Sequence, residues 1–420
     1  MPEQKKPTRR KSAARRKQLY RKSRRYRQRR RRMLLAGTAA IALLLLLLLI
    51  FGVRGCVNSI RSKKASSDNL VSMDSTSQDS LSATNTSETD DTAADTSDLN
   101  TVTEPVSLTL SVVGDCTLGT DETFDYSTSL NAYFEDHGAS YFLENVKGIF
   151  EADDLTIANF EGTLTDLDTR ADKTFAFKAP ASFSAILTNG SVEAVNTANN
   201  HSHDYGEQSF TDTLTALDNA GIVHFGYEET AVMDVKGVKV GLVGIYELND
   251  HLGREQQLKE NIAKVKAEGA QLTVVIFHWG NEKETTPDSN QTTLGRMAID
   301  EGADLVCGHH PHVLQGIETY KGKNIVYSLG NFCFGGNSAP SDMDTMIYQQ
   351  TFTIDQNGVR ADNVTNVIPC SISSAAYAGY NNYQPTPATG EEATRILNKI
   401  NERSSWIQTA EGSSFTAAYH

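Results

Sequence analysis

The residues able to do chemistry in this chain fall in short clusters, each directly after an apolar, β-branched run. Leu108–Val113 leads into Gly114-Asp115, Leu155–Ala158 into Asn159-Phe160-Glu161, and Val192–Ala198 into Asn199-Asn200-His201. Leu272–Phe277 leads into His278-Trp279-Gly280, and Leu305–Cys307 into Gly308-His309-His310-Pro311-His312. In open α/β sheets, ligands bind beyond the carboxyl ends of the strands, so five such clusters would meet at one site. Carboxylates, amide oxygens and imidazoles together suggest a divalent metal, and this donor set fits Mn²⁺, Fe or Zn²⁺ better than Ca²⁺ or Mg²⁺ alone.

The clusters differ in how much they say. Asp115 after Gly114 is also an ordinary turn former, and Phe160 between Asn159 and Glu161 is also an ordinary core residue. Asn199-Asn200-His201-Ser202-His203-Asp204-Tyr205-Gly206 is denser. There Asn200 could offer a carbonyl oxygen to a metal, His201 could act as general acid or as a partner for a phosphate oxygen, and Asp204 could orient it through a hydrogen bond. His278, with Glu282 close behind, ends an apolar strand, and neutral imidazole is the commonest metal ligand. Three His within four positions, stiffened by Pro311, can point two rings at one ion. Ser328-Leu329-Gly330-Asn331-Phe332 closes the series as a strand-ending turn.

The elements that must position these groups alternate. Helical periodicity runs through Tyr141–Ile149, Phe183–Leu187, Ser209–Ala220, Gln256–Glu268, Gln291–Glu301 and Glu391–Glu402, while Val238–Ile245, Ile325–Ser328 and Met346–Ile354 add strands. Alternating strands and helices predict an α/β architecture. Gly358 marks a turn between Met346–Ile354 and Val364–Ile368, an antiparallel pair expected to close the domain. From Ser371 to Gly390 the periodicity fades and Pro385 and Pro387 intervene, so the chain is expected to wrap the surface there.

The first quarter of the 420 residues reads as non-globular. Residues 1–32 hold seventeen Lys or Arg against one acid, and the uncharged apolar stretch Met33–Val53 follows. Its 21 residues span about 31 Å as a helix, enough to cross a bilayer. A polybasic block abutting such a span predicts a single-pass signal-anchor with the N-terminus cytoplasmic and all that follows outside the cell membrane. Residues 54–106, and Ser59–Glu104 in particular, are rich in Ser, Thr and Asp and lack aromatics, as a disordered tether does. Residues 107–370 form the main domain, with 371–420 as its C-terminal extension. Beyond residue 106 there are 42 acids against 18 Lys plus Arg, which argues against nucleic acid as a partner of the outer domain. The five cysteines show no CxxC spacing, so neither a zinc ribbon nor a disulfide scaffold is expected.

With its six motifs in this order, from Gly114-Asp115 to Ser328-Leu329-Gly330-Asn331-Phe332, the chain resembles the CapA family of capsule and poly-γ-glutamate biosynthesis proteins. That family's domain is related to calcineurin-like metallophosphoesterases. The resemblance runs from about Leu108 to Ile368 and implies a layered α/β/β/α sandwich with a metal centre. It implies Asp115, Glu161, Asn200, His278 and His312 as metal ligands. A further ligand is His310, although His309 could equally partner His312. His201 is implied as the general acid, with Asp204 behind it. The sequence departs from the phosphoesterase pattern where Asp115 is followed by Cys116-Thr117 rather than x-His, so one ligand is missing or has become a thiol, and one ion rather than two is compatible with the motifs.

These observations leave an enzyme and a non-enzyme open. In the first, one or two divalent ions activate water and stabilise a phosphoryl transition state while His201 protonates the leaving oxygen. In the second, the domain is a polymer-handling or cell-wall scaffold component, partnered by an anionic cell-surface polymer or its synthesis complex.

Overall fold

The computed structural model describes residues 104–407 and 415–420. The basic segment, the expected span Met33–Val53 and nearly all of the tether lie outside them. No helix among the described residues is long and apolar enough to cross a membrane.

Two mixed sheets carry the fold. In the first, Thr386–Pro387, Val364–Ser371, Asp344–Asp355, Val106–Thr117, Leu155–Glu161, Ala194–Asn196 and Val223–Phe225 follow one another edge to edge. From Val106–Thr117 to Val223–Phe225 the pairing is parallel, and the strands on the other side are antiparallel. In the second sheet Lys323–Val326, Leu305–His309, Leu272–His278 and Val238–Tyr246 are parallel, with Ile317–Tyr320 and Ala231–Val235 antiparallel at the two edges.

Side chains alternate across a strand, so each apolar run feeds two cores. Leu108, Leu110, Val112, Leu155 and Ile157 of the first sheet share one core with Val240, Leu242, Leu272, Val274, Ile276, Leu305 and Cys307 of the second. The opposite faces are covered by helices. Leu143, Val146, Phe150, Leu187 and Leu217 pack on Val113, Ala158 and Val195. Leu258, Ile262, Leu294 and Ala298 pack on Val243, Val275 and Val306. The result is helices, sheet, sheet, helices. Each fully buried Val, Leu or Ile contributes about 1.5–3 kcal/mol, so a charge at Ile276 would break the layer that holds the two sheets together.

Two expectations need correction. The pair Asp344–Asp355 and Val364–Ser371 forms, but Asp344–Asp355 is an interior strand hydrogen-bonded on its other side to Val106–Thr117. The segment after Ser371 does not merely wrap the surface: Asn381 and Tyr383 are buried, and Ile396 and Ile400 of the helix Gly390–Ser405 enter the inter-sheet core. Ala418 accepts a backbone hydrogen bond from Val367, so the extension is built into the domain. The helix Leu130–His137, absent from the sequence reading, is only two turns long; Leu130, Tyr133 and Phe134 turn towards the core and the Ser129 hydroxyl caps it.

Candidate metal centre

The alternation that builds the inter-sheet core also builds the site. Continuing Leu155 and Ile157 at every second position gives Asn159 and Glu161; continuing Leu272, Val274 and Ile276 gives His278; continuing Leu305 and Cys307 gives His309. The inward-facing row thus changes from apolar to polar at the carboxyl ends of strands from both sheets. A register irregularity between Val112 and Asp115 delivers Asp115 beside Asn159. Gly114 is required there, because a Cβ would collide with the Gly330 carbonyl oxygen, which accepts from the Asp115 N–H at 2.9 Å.

Asp115, Glu161 and His278 are fully buried, and one potential ligand atom from each lies within 4.8 Å of the other two. The Nε2 of His278 faces Asn200 Oδ1 at 2.9 Å and Glu161 Oε1 at 3.7 Å. His312 Nδ1 sits 3.1 Å from Asp115 Oδ2 and 2.9 Å from Asn331 Oδ1. The His310 ring lies between the others, 4.8 Å from that of His278 and 5.6 Å from that of His312. His309 instead crosses between the sheets and donates from Nε2 to the Val113 carbonyl at 2.9 Å. The geometry therefore places His310, and not His309, in the cluster. His310 reaches it with φ +93°, an orientation that strand alternation alone does not supply.

A second group adjoins the first. His201 Nδ1 donates to Asp204 Oδ2 at 2.8 Å, and Asp204 also accepts from Phe177 N–H at 2.6 Å and from Lys173 Nζ at 2.7 Å. Lys173 donates in addition to the Asn200 carbonyl at 2.7 Å. Asn199 is clamped away from the site by its own bond to the Phe160 carbonyl, 2.7 Å, which leaves Asn200 to face inward.

Electrostatics describe a cluster short of positive charge. Burial, reinforced by the Asp115 carboxylate, pushes Glu161 well above the usual carboxylate range. Burial would raise Asp115 too, but the hydrogen bond and charge of His312 hold it low. His312 is raised against its own burial by Asp115 and Glu161. Burial depresses His278 strongly and takes His310 down to about 3, so both are neutral imidazoles with lone pairs to offer. Burial also lowers His201, although Asp204 works against it. The protein alone thus balances its carboxylates with protons on Glu161 and His312, which a divalent cation would displace. His310 Nδ1 is buried without a hydrogen-bond partner. The residues present therefore fit a metal held by Asp115, Glu161, Asn200, His278, His310 and His312.

Cys116 is no ligand. It sits one residue out of phase with Asp115, packs in the core under the helices, and burial pushes its thiol up to about 12. The position read as a missing His is Thr117, whose hydroxyl donates to Glu161 Oε2 at 2.7 Å. Sequence reasoning also missed Lys173, in a loop without any motif, and the supporting role of Asn159. The Asn159 amide donates to Asp115 Oδ1 at 2.9 Å and is itself held by Asn196 at 2.8 Å. Glu282, expected near His278, is exposed on the wall of a neighbouring cleft.

Comparison with known proteins agrees with the motifs. The family model described as bacterial capsule synthesis protein PGA_cap matches residues 109–336. The chain is 33% identical over 265 residues to the PGA biosynthesis protein CapA of Bacillus subtilis, covering 57% of this chain and 66% of that one. It is 30% identical over 257 residues to the capsule biosynthesis protein CapA of Bacillus anthracis, covering 55% and 61%. A probable polyglutamine synthesis accessory protein of Mycobacterium tuberculosis is 28% identical over 216 residues, 43% of this chain and 55% of that one. The chain spans less than two thirds of the length of these relatives.

Proposed function

Because the chain belongs to the bacterial capsule synthesis protein family PGA_cap, we propose that it acts in making or exporting a capsule or poly-γ-glutamate polymer through a metal-dependent, hydrolase-like site of metallophosphoesterase type. The observation that carries this reading is the convergence of Asp115, Glu161 and His278, all fully buried, from three strands and both sheets, with one ligand atom of each within 4.8 Å of the others. A bound Mn²⁺, Fe or Zn²⁺, as one ion or two, would supply Lewis-acid polarisation of a phosphoryl or carbonyl oxygen. Asp115, Glu161, His278, His310 and His312, with the Asn200 amide oxygen, would hold it.

His201 would handle the proton. Its Nδ1 is committed to Asp204, so Nε2 is the atom left for substrate. Burial keeps the ring neutral, and an anionic group placed against Nε2 would raise its basicity and let it return a proton to a leaving oxygen. Lys173 fixes Asp204 from behind. The domain is held outside the cell by the single span Met33–Val53, which makes the cell membrane and the polymer or its synthesis complex its partners.

Thr117 favours a second reading. Its hydroxyl occupies a place where the phosphoesterase pattern has an imidazole, and it ties up one oxygen of Glu161. The same fold could then handle polymer without turning it over. Metal analysis of the purified protein, with a phosphoesterase assay across added Mn²⁺ and Zn²⁺, separates the two. Stoichiometric metal with turnover abolished in His201→Ala supports the enzyme; stoichiometric metal without turnover supports polymer handling; absence of metal refutes both metal-based accounts. Protease access to the tether in intact cells tests the membrane orientation, which loss of Arg24–Arg32 should scramble.

A further inference from the structure

A cleft of about 410 Å³ opens beside the metal cluster, with His201 and His312 on its inner wall. Its outer wall is aromatic. Phe124, Phe175 and Phe177 form a cluster with ring centroids 5.9–6.4 Å apart, and Phe177 also touches the His201 ring at 4.7 Å. Phe334 stands 5.5 Å from the His312 ring on the other side. Phe175 is 47% exposed and belongs to no core cluster. Between these rings the lining is made of small hydrogen-bonding groups, Thr128, Asn337, Ser338 and Ser341 among them.

The charges on the wall decide which ligand suits it. Asp125 and Glu282 line the cleft against the Lys283 ammonium, and a third acid on the wall, Asp342, is paired with Lys399 at 3.3 Å. An extended polycarboxylate running out from the metal would meet like charge along this wall. A lipid chain would waste the hydroxyls and amides. A pyranose suits both features: its face presents weakly positive C–H groups to the negative face of an aromatic ring, while its rim carries hydroxyls for Ser, Thr and Asn.

We propose that this cleft binds an uncharged sugar ring, so that the molecule presented to the metal cluster is a glycan or a glycan-linked group rather than the polyanion itself. The inference rests on the reading above only in taking the cleft to serve that cluster. Its test is a binding measurement, and so is separable from turnover. Saturation-transfer NMR on the full chain would use chitotetraose and a γ-linked glutamate tetramer as probes, with and without EDTA, in the wild type, Phe175→Ala and Phe175→Tyr. The expected result is chitotetraose binding that Phe175→Ala weakens roughly fivefold, the size of one aromatic contact, that Phe175→Tyr retains, and that EDTA leaves in place. Any signal from the glutamate tetramer, including attraction to the basic N-terminal segment, should not respond to Phe175→Ala. Absence of chitotetraose binding, chitotetraose binding indifferent to Phe175→Ala, or glutamate binding that this variant weakens would each overturn the proposal. Loss of metal or of turnover with chitotetraose binding intact would count against the metal site alone.

Discussion

Two His-rich segments meet at the candidate centre, and they are held in opposite ways. His309-His310-Pro311-His312 is bent by backbone: His310 and His312 have φ +93° and +57°, conformations that cost non-glycine residues about 1–3 kcal/mol each. Its imidazoles leave Nδ1 of both His309 and His310 buried without a partner. Asn199–Tyr205 has no residue of positive φ and is tied into the fold by its own polar atoms. The Asn199 carbonyl accepts from Tyr227 Oη at 3.0 Å and from Ser202 Oγ at 2.9 Å. The first segment stores strain and unused lone pairs, as a ligand-binding element does. The second has its site-facing polar atoms tied to neighbouring residues, with only the Tyr205 hydroxyl left buried without a partner.

The largest effects should come from separating the metal-facing group, which the His309–His312 segment joins, from the His201 segment by function. His278→Ala or Asp115→Ala should cut bound metal, measured by elemental analysis, from stoichiometric to a small fraction, because each removes one corner of the buried triad. His201→Ala should leave metal in place and lower any turnover by about 100-fold or more. Full metal retention in His278→Ala would mean the ligand set is wrong. Asn331→Ala comes next: it frees His312 Nδ1 from its 2.9 Å partner and should weaken metal affinity by roughly 10–100-fold in competition with a chelating dye.

On the self-contained side, Ser202→Ala removes the hydroxyl that binds the Thr197 and Asn199 carbonyls. A loss of about 1–3 kcal/mol in urea unfolding, with metal affinity unchanged, is expected; a fall in affinity without loss of stability would erase the contrast. The smallest effect concerns Asp121, which anchors the loop carrying Lys173 through Arg170 at 2.8 Å. Burial would raise Asp121, but Thr123, Arg170 and the Ala176 N–H together hold it at about 2. Since this folded value is below the unfolded one near 3.9, its stabilisation is complete above about pH 4 and is lost as pH falls through 2. Asp121→Asn should lower the urea midpoint at pH 7 and flatten its dependence between pH 4 and 2.

Much of this architecture is legible in the order of residues alone. Apolar runs such as Leu272–Phe277 mark both the strand and, through its terminal His278, the direction of the site. The two-sheet arrangement is not in the periodicity, because Val240 and Leu110 look alike whichever partner they face; it enters only with the family resemblance. The choice between His309 and His310 depends on one backbone angle, and no residue pattern encodes φ +93° at a histidine. Lys173 is invisible to motif reading because its partners Asp204 and Asn200 are 31 and 27 positions away, joined to it only by tertiary folding. Val223–Phe225 and Ala194–Asn196 are too short for periodicity to bound their ends.

The residue after His278 offers an optical handle. Trp279 is one of two tryptophans; it is fully buried, stacked on Phe277 at a centroid distance of 4.2 Å, and its Nε1–H donates to the Tyr327 carbonyl at 2.8 Å. Trp406, the other, is 45% exposed. Acrylamide should therefore quench the red emission of Trp406 and spare the blue emission of Trp279. What remains is the light of a single indole fixed to the strand that carries His278, so the filling of the centre can be followed in a cuvette without any added label.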